Sequence, residues 1–326
     1  MHKLQLSVLD LLPILPGASA AEALEQAVLL AQTAERLGYT RYWVAEHHDM
    51  ERLACSAPEV VLAHVGARTE RIRLGSGAVL LPHYKAIKVA ETFHTLATLY
   101  PGRIDLGLGR APGGSAHLSL ALSGNFLDNV RRLPETLGDL MQLLAGAFEL
   151  DGVPVAARPI PPSPPEVWLL GTNRKSAAYA AEFGTGFVFG QFMSDEDGAD
   201  IIRAYRQSYR PSRLQGSARA IVAVGVICAD TEEAAHQLAA EGARLFRPPS
   251  PPQPELDAEN GAAAAPSLAL SPQPNPKLLI GTPQQVRDRL EELARYYEVD
   301  EFLVVSHIVD YAERRRSYER LLGPVE

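Results

Sequence analysis

Apolar and polar positions along this chain fall into two alternating rhythms. Short runs rich in β-branched and other apolar residues read as strands at 4–9, 41–45, 72–80, 103–108, 167–170, 186–189, 221–228 and 301–306. Between them the spacing turns helical. Leu24, Ala27, Val28, Ala31 and Leu37 share one face after the first run, and Gly38 is placed to end that helix. Helix starts carry an N-cap oxygen three residues before a Glu or Gln: Ser19 before Glu22, Ser56 before Glu59, Asp230 before Glu233, and Thr282 before Gln285.

Eight strand–helix units in sequence favour a closed parallel barrel over an open doubly wound sheet. Parallel strands need both faces covered, and closure removes the edges. The expected fold is therefore α/β, a (β/α)8 TIM barrel in a single domain over residues 1–326, with Pro-rich insertions at about 154–165 and 248–276. Neither insertion reads as a regular element. The second follows the seventh strand and its helix pattern, and it stands as either a lid bordering the barrel mouth or an inert surface loop.

Composition narrows the function. Lys and Arg number 31 against 39 Asp and Glu, a formal charge of −8, which opposes binding to a phosphate backbone and makes nucleic acid a poor partner. Cys55 and Cys228 stand far apart without metal-ligand spacing, so no metal site is expected. The N-terminus has an Ala18-Ser19-Ala20 resembling a cleavage site, but Gln5, Asp10 and Pro13 interrupt the apolar run before it. No run approaches the ~20 apolar residues of a membrane span, so a cytoplasmic protein without membrane contact is expected.

Barrel enzymes place their chemistry at the C-terminal ends of the strands. The second strand runs into Glu46-His47-His48, where imidazoles can exchange protons near neutral pH or simply hydrogen-bond a loop carbonyl. The third contains Gly75-Ser76-Gly77-Ala78, small residues that suit a bulge, a close approach to something flat, or packing of a barrel layer. The fourth ends in Gly109-Arg110-Ala111-Pro112-Gly113-Gly114. It delivers a guanidinium suited to phosphate, while Pro112 breaks the G-x-G-x-x-G dinucleotide pattern. After the fifth, Gly171-Thr172-Asn173-Arg174-Lys175-Ser176 opens a helix whose free N–H groups suit an anion, or merely a cap. Arg110 and this helix start would clamp one phosphate from two sides.

Taken in order, Glu46-His47-His48, the run from Leu74 to Pro82 and the run from Pro101 to Arg110 resemble the bacterial-luciferase-like flavin-dependent monooxygenases. The resemblance covers roughly residues 4–322 outside the two Pro-rich stretches. It implies a (β/α)8 barrel in which Gly77–Ala78 is a non-proline cis peptide supporting the flavin ring. Arg110 would bind the phosphate together with Thr172, Asn173 and Ser176. Glu46, Ser76, Ala78 and Gly171 fall among the implied cofactor contacts, and His47 is the implied proton-handling residue near the flavin C4a position.

The implied activity is oxidation of a small organic substrate by reduced FMN and O2. With no nicotinamide fingerprint in the chain, a separate flavin reductase would supply the cofactor. The resemblance also implies a homodimer formed through the helices after the second and third strands. Gly109 stands where the light-emitting members carry a reactive cysteine, so luminescence is not inferred. Arg174-Lys175 stands where close relatives have an uncharged pair, which keeps F420-dependent hydride transfer open as an alternative, alongside a non-catalytic flavin-binding protein.

Overall fold

The chain enters the fold through β1 (Gln5–Asp10) and turns into α1 (Ala20–Leu37). Ser19 caps that helix by accepting from the Glu22 N–H at 3.1 Å, and Gly38 closes it in the left-handed region, φ 86°. β2 (Arg41–Val44) and α2 (Pro58–Gly66) follow. The next strand is split into β3 (Arg73–Ser76) and β4 (Val79–Leu80) by Gly77 and Ala78, whose connecting peptide is cis. A short 3-10 turn at Leu81–His83 leads to α3 (Ala86–Leu99) and β5 (Ile104–Gly109). Next come α4 (Ala116–Ser123), α5 (Phe126–Arg131), α6 (Leu133–Leu144) and a small antiparallel hairpin, β6 (Glu149–Leu150) with β7 (Val153–Pro154). The remainder runs β8 (Glu166–Gly171), α7 (Arg174–Phe183), β9 (Gly186–Gly190), α8 (Gly198–Ser208), β10 (Ala220–Cys228) and α9 (Glu232–Leu245). It finishes with β11 (Leu278–Gly281), α10 (Pro283–Tyr297), β12 (Glu301–Val305) and α11 (Tyr311–Leu322).

This computed structural model describes residues 4–245 and 277–323, so the expected insertion at 248–276 lies outside the described residues. Strands β1, β2, β3, β5, β8, β9, β10 and β12 pair in parallel, each with the next, and β12 returns to β1. The result is a closed (β/α)8 barrel, and its eight strands are those read from the sequence. Among the described residues no helix is long and apolar enough to cross a membrane.

Two expected caps are corrected. α2 starts at Pro58 with Ala57 in the cap position and no side-chain cap, so Ser56 does not open it. α9 is capped one residue later than expected, by the Thr231 hydroxyl accepting from the Ala234 N–H, because Asp230 is taken by a two-pronged pair with Arg320. Thr282 does form a full capping box with Gln285. Three strands went unread: β6 and β7, whose hairpin claims Pro154, and β11, which pairs with the last four residues of β10 outside the ring. The stretch 155–165 is irregular and leads straight into the N-terminal end of β8, on the face opposite the mouth.

Alternation divides the strand residues into two packing layers. Leu9, Trp43, Trp168, Val188, Ile221, Ala223, Leu303 and Val305 cluster inside the barrel, with Trp43 and Trp168 edge-to-face at 6.0 Å. Val8, Tyr42, Val44, Leu106 and Val304 face the helices. A bulky inner layer leaves no room for a side chain at position 75, where a Cβ would stand 2.4 Å from Trp43 Nε1. Layer packing thus accounts for Gly75, and the bulge for its neighbours Gly77 and Ala78.

The bottom of the barrel is closed by charge. Arg41 binds Asp105 and Glu301 at 2.8 Å each and Glu166 at 3.3 Å, while Trp43 Nε1 donates to Asp105 at 2.9 Å. Arg73 joins Asp105, and Arg219 joins Glu166 at 2.8 Å. Every member sits at or near the start of a ring strand, where a closed parallel barrel brings them onto one floor.

Candidate active site

At the opposite end, the mouth is built from the C-terminal ends of β2, the β3–β4 bulge, β5 and β8, which follow one another around the ring. Arg110 comes directly after β5. Its Nε donates to Ser176 Oγ at 3.3 Å and its Nη2 to Asn173 Oδ1 at 3.1 Å. Asn173 is the N-cap of α7, and the same Oδ1 accepts the Ser176 N–H at 3.2 Å. Among the described residues Arg110 has no carboxylate partner, so a guanidinium and the positive end of a helix stand together without a counter-charge.

Gly171 makes that convergence possible. A Cβ there would lie 2.2 Å from the Ser176 Cβ, so only glycine lets the first turn of α7 fold back over the strand end. Thr172 is fixed through its backbone carbonyl, which accepts from Ser194 Oγ at 2.8 Å. Arg174 reaches across to Asp200 at 3.9 Å and Lys175 lies over the Tyr179 ring, so neither joins the Arg110 contacts.

Ser76 bridges the break in its strand. Ladder pairing between β3 and β5 ends at Gly75 with Asp105 and resumes between Val79 and Leu108. In the gap the Ser76 hydroxyl donates to the Gly107 carbonyl at 2.8 Å and accepts the Gly107 N–H at 3.1 Å. The Gly77 N–H donates to the Val44 carbonyl at 2.7 Å, which ties the bulge to β2 on its other side.

Beyond β2, Glu46 and His48 are buried and paired. His48 Nε2 meets Glu46 Oε1 at 2.8 Å, and the His48 N–H donates to the Gly113 carbonyl at 2.9 Å, in the loop that starts at Arg110. His47 differs. Its backbone N–H donates to the Cys55 carbonyl, but its buried Nδ1 has no hydrogen-bond partner. Burial, and secondarily the neighbouring His48, lowers its pKa from the ordinary 6.5, so the ring is neutral at pH 7.

Two residues near the strand ends escaped sequence reasoning. Tyr84, just past the 3-10 turn, donates to Glu46 Oε1 at 2.6 Å. His307 follows β12 directly after Ser306, and burial followed by Arg314 lowers its pKa. Its place immediately after the last expected strand was the available signal; Tyr84 offered none, because its partner lies 38 residues away.

The donor set fits a phosphate-bearing planar ligand. A positive pocket without a carboxylate partner suits a phosphate, a stretch of backbone without bulky side chains lies beside it, and a buried imidazole nitrogen lacks a partner.

Residues 4–299 match the family model described as luciferase-like monooxygenase. An uncharacterized Bacillus subtilis (strain 168) protein, YwcH, is 42% identical over 97% of this chain and 97% of its own length. The N-acetyl-S-alkylcysteine monooxygenase of the same organism is 35% identical, covering 99% and 98%. Among solved structures, apo-MsnO8 superimposes with a TM-score of 0.82 at 33% identity, covering 98% of this chain and 97% of the other.

Proposed function

The chain belongs to the luciferase-like monooxygenase family, and on that footing we propose that it is a two-component flavin monooxygenase. Reduced FMN from a separate reductase, together with O2, oxidises a small organic substrate at the barrel mouth. The observation that carries this reading is the unpaired Arg110 guanidinium fastened to the start of α7. A phosphate is the ligand that best satisfies such a pocket, because its oxygens match both the guanidinium fork and the helix N–H groups.

In this reading Arg110, Asn173 and Ser176 hold the FMN phosphate, with Gly171 and Thr172 shaping the pocket. Gly77 and Ala78 underlie the ring, and Ser76 keeps that bulge in register. Bound reduced flavin supplies the electrons that activate O2. The protein contributes position, exclusion of water and proton control. His47, neutral and unpartnered at Nδ1, accepts or returns a proton at that atom.

Exposed Val60 on α2 and Leu99 at the end of α3, 64% and 57% accessible, support pairing of two copies through these helices. Sedimentation velocity checks that assembly. The decisive experiment for function is anaerobic titration with reduced FMN and with reduced F420, followed by rapid mixing with O2. Tight binding of reduced FMN and oxygen-dependent turnover are expected. Binding of F420 alone would replace the proposal with deazaflavin hydride transfer, and FMN binding without any oxygen reaction would leave a flavin carrier.

A further inference from the structure

Glu46 is 3% exposed, and three groups of the protein converge on its carboxylate. Oε2 accepts the Leu80 N–H at 3.0 Å, on the far side of the Gly77–Ala78 bulge. Oε1 accepts the Tyr84 hydroxyl at 2.6 Å and meets His48 Nε2 at 2.8 Å. One carboxylate thus gathers the end of β2, the end of β4, the entry to α3 and the imidazole beside His47. Because an ionised carboxylate offers only acceptors, the Nε2 of His48 must carry a hydrogen. The backbone of that same histidine holds Gly113, in the loop that begins at Arg110.

We infer that Glu46 is a positioning residue for this site: whatever else its backbone touches, its carboxylate fixes the bulge, the His48 tautomer and the Arg110 loop relative to one another. The inference rests on the flavin reading above, since the platform and the clamp matter in this way only if a ring and its phosphate bridge them. Leu80, Tyr84 and His48 are all donors. A glutamine in place of Glu46 presents one acceptor and one donor face, so it cannot satisfy all three. Either Leu80 meets an amide N–H, which loosens the bulge, or His48 does, which shifts its hydrogen to Nδ1.

The test uses the full-length protein labelled with 15N-histidine, with reduced FMN as ligand. Wild-type His48 is expected as a single tautomer with hydrogen on Nε2. Glu46→Gln is expected to move the His48 nitrogen signals or to weaken reduced-FMN binding at least fivefold, and to slow turnover about tenfold at nearly constant substrate KM. Tyr84→Phe removes one donor and leaves the carboxylate, so it carries the test should the glutamine variant not fold. It is expected to shift the His48 signals with turnover reduced about threefold.

Wild-type His48 signals and wild-type FMN affinity in every variant that folds would overturn the inference. A wild-type protein that fails to bind reduced FMN would instead overturn the flavin reading. The two failures are therefore separate observations.

Discussion

Arg110 Nη2 donates to Asn173 Oδ1 at 3.1 Å, so the guanidinium that ends one ring strand is fastened to the residue capping the helix of the next strand–helix unit. The clamp is held in place by the protein's own side chains. Preorganisation of this kind lowers the ordering cost of binding.

Arg110→Ala is expected to weaken reduced-FMN binding by roughly 10- to 100-fold, since a hydrogen bond to a charged group contributes about 1.5–3 kcal/mol. Asn173→Ala removes a helix cap as well, worth about 1 kcal/mol, together with the anchor of the arginine. The double variant should therefore lose less than the sum of the two. Anaerobic fluorescence titration measures all three, and equal affinity in wild type and Arg110→Ala would exclude the phosphate assignment.

His47→Asn is expected to lower kcat by about 10²- to 10⁴-fold with little effect on FMN affinity. Burial and His48 depress the folded pKa of His47, so its ring stays neutral down through pH 6.5 and protonates only at more acid pH. Wild-type turnover should accordingly be level above that value and decline below it, and the variant should lack the decline. The same shift disfavours folding in acid, because the unfolded state, with an imidazole pKa of about 6.5, binds the proton first. A pH–rate profile with an acid limb unchanged in His47→Asn would assign the proton to another group.

Gly171→Ala places a methyl carbon 2.2 Å from the Ser176 Cβ, a clash between two backbone-anchored atoms that no rotamer relieves. Overpacking of this sort costs about 1–3 kcal/mol. A lower melting temperature and several-fold weaker FMN binding are expected, with far-ultraviolet circular dichroism unchanged. Full FMN affinity in this variant would show that the first turn of α7 does not set the pocket.

Arg41→Met tests the barrel floor. It leaves the buried Asp105 and Glu301 short of a cation, and removing one partner of a buried pair typically costs about 3–5 kcal/mol. Burial pushes the Asp105 pKa up, but Arg41 and Arg73 outweigh it and hold the carboxyl below its usual value. Its contribution is complete above the unfolded pKa of about 3.9 and is lost as pH falls through the lower folded value. Urea midpoints measured from pH 7 to pH 3 should fall with acid in wild type, and Arg41→Met should start lower with a shallower slope.

The ring was legible because each of its strands combines apolar or β-branched residues with a helix signal before the next. β11 was not, since its four residues, Leu278–Gly281, follow directly on a Pro-rich stretch and pair outside the ring. The same division runs through the site. Arg110, Gly171, Asn173 and Ser176 announce themselves by chemistry at strand ends and helix starts. The floor cluster of Arg41, Asp105, Glu166 and Glu301 does not, because its members are ordinary strand-start charges until closure brings them together. Nor can local spacing show that Asp230 is diverted from capping by an arginine 90 residues later.

The strand β10 outlasts its neighbours: Val222 to Gly225 pair with β12, and from Gly225 the strand runs on to Cys228 to carry β11. α9 packs on this extension and reaches the rim, where Gly242 lies against the His307 carbonyl. Substitutions confined to this extension therefore fall on packing that the Arg110–Asn173 clamp does not share.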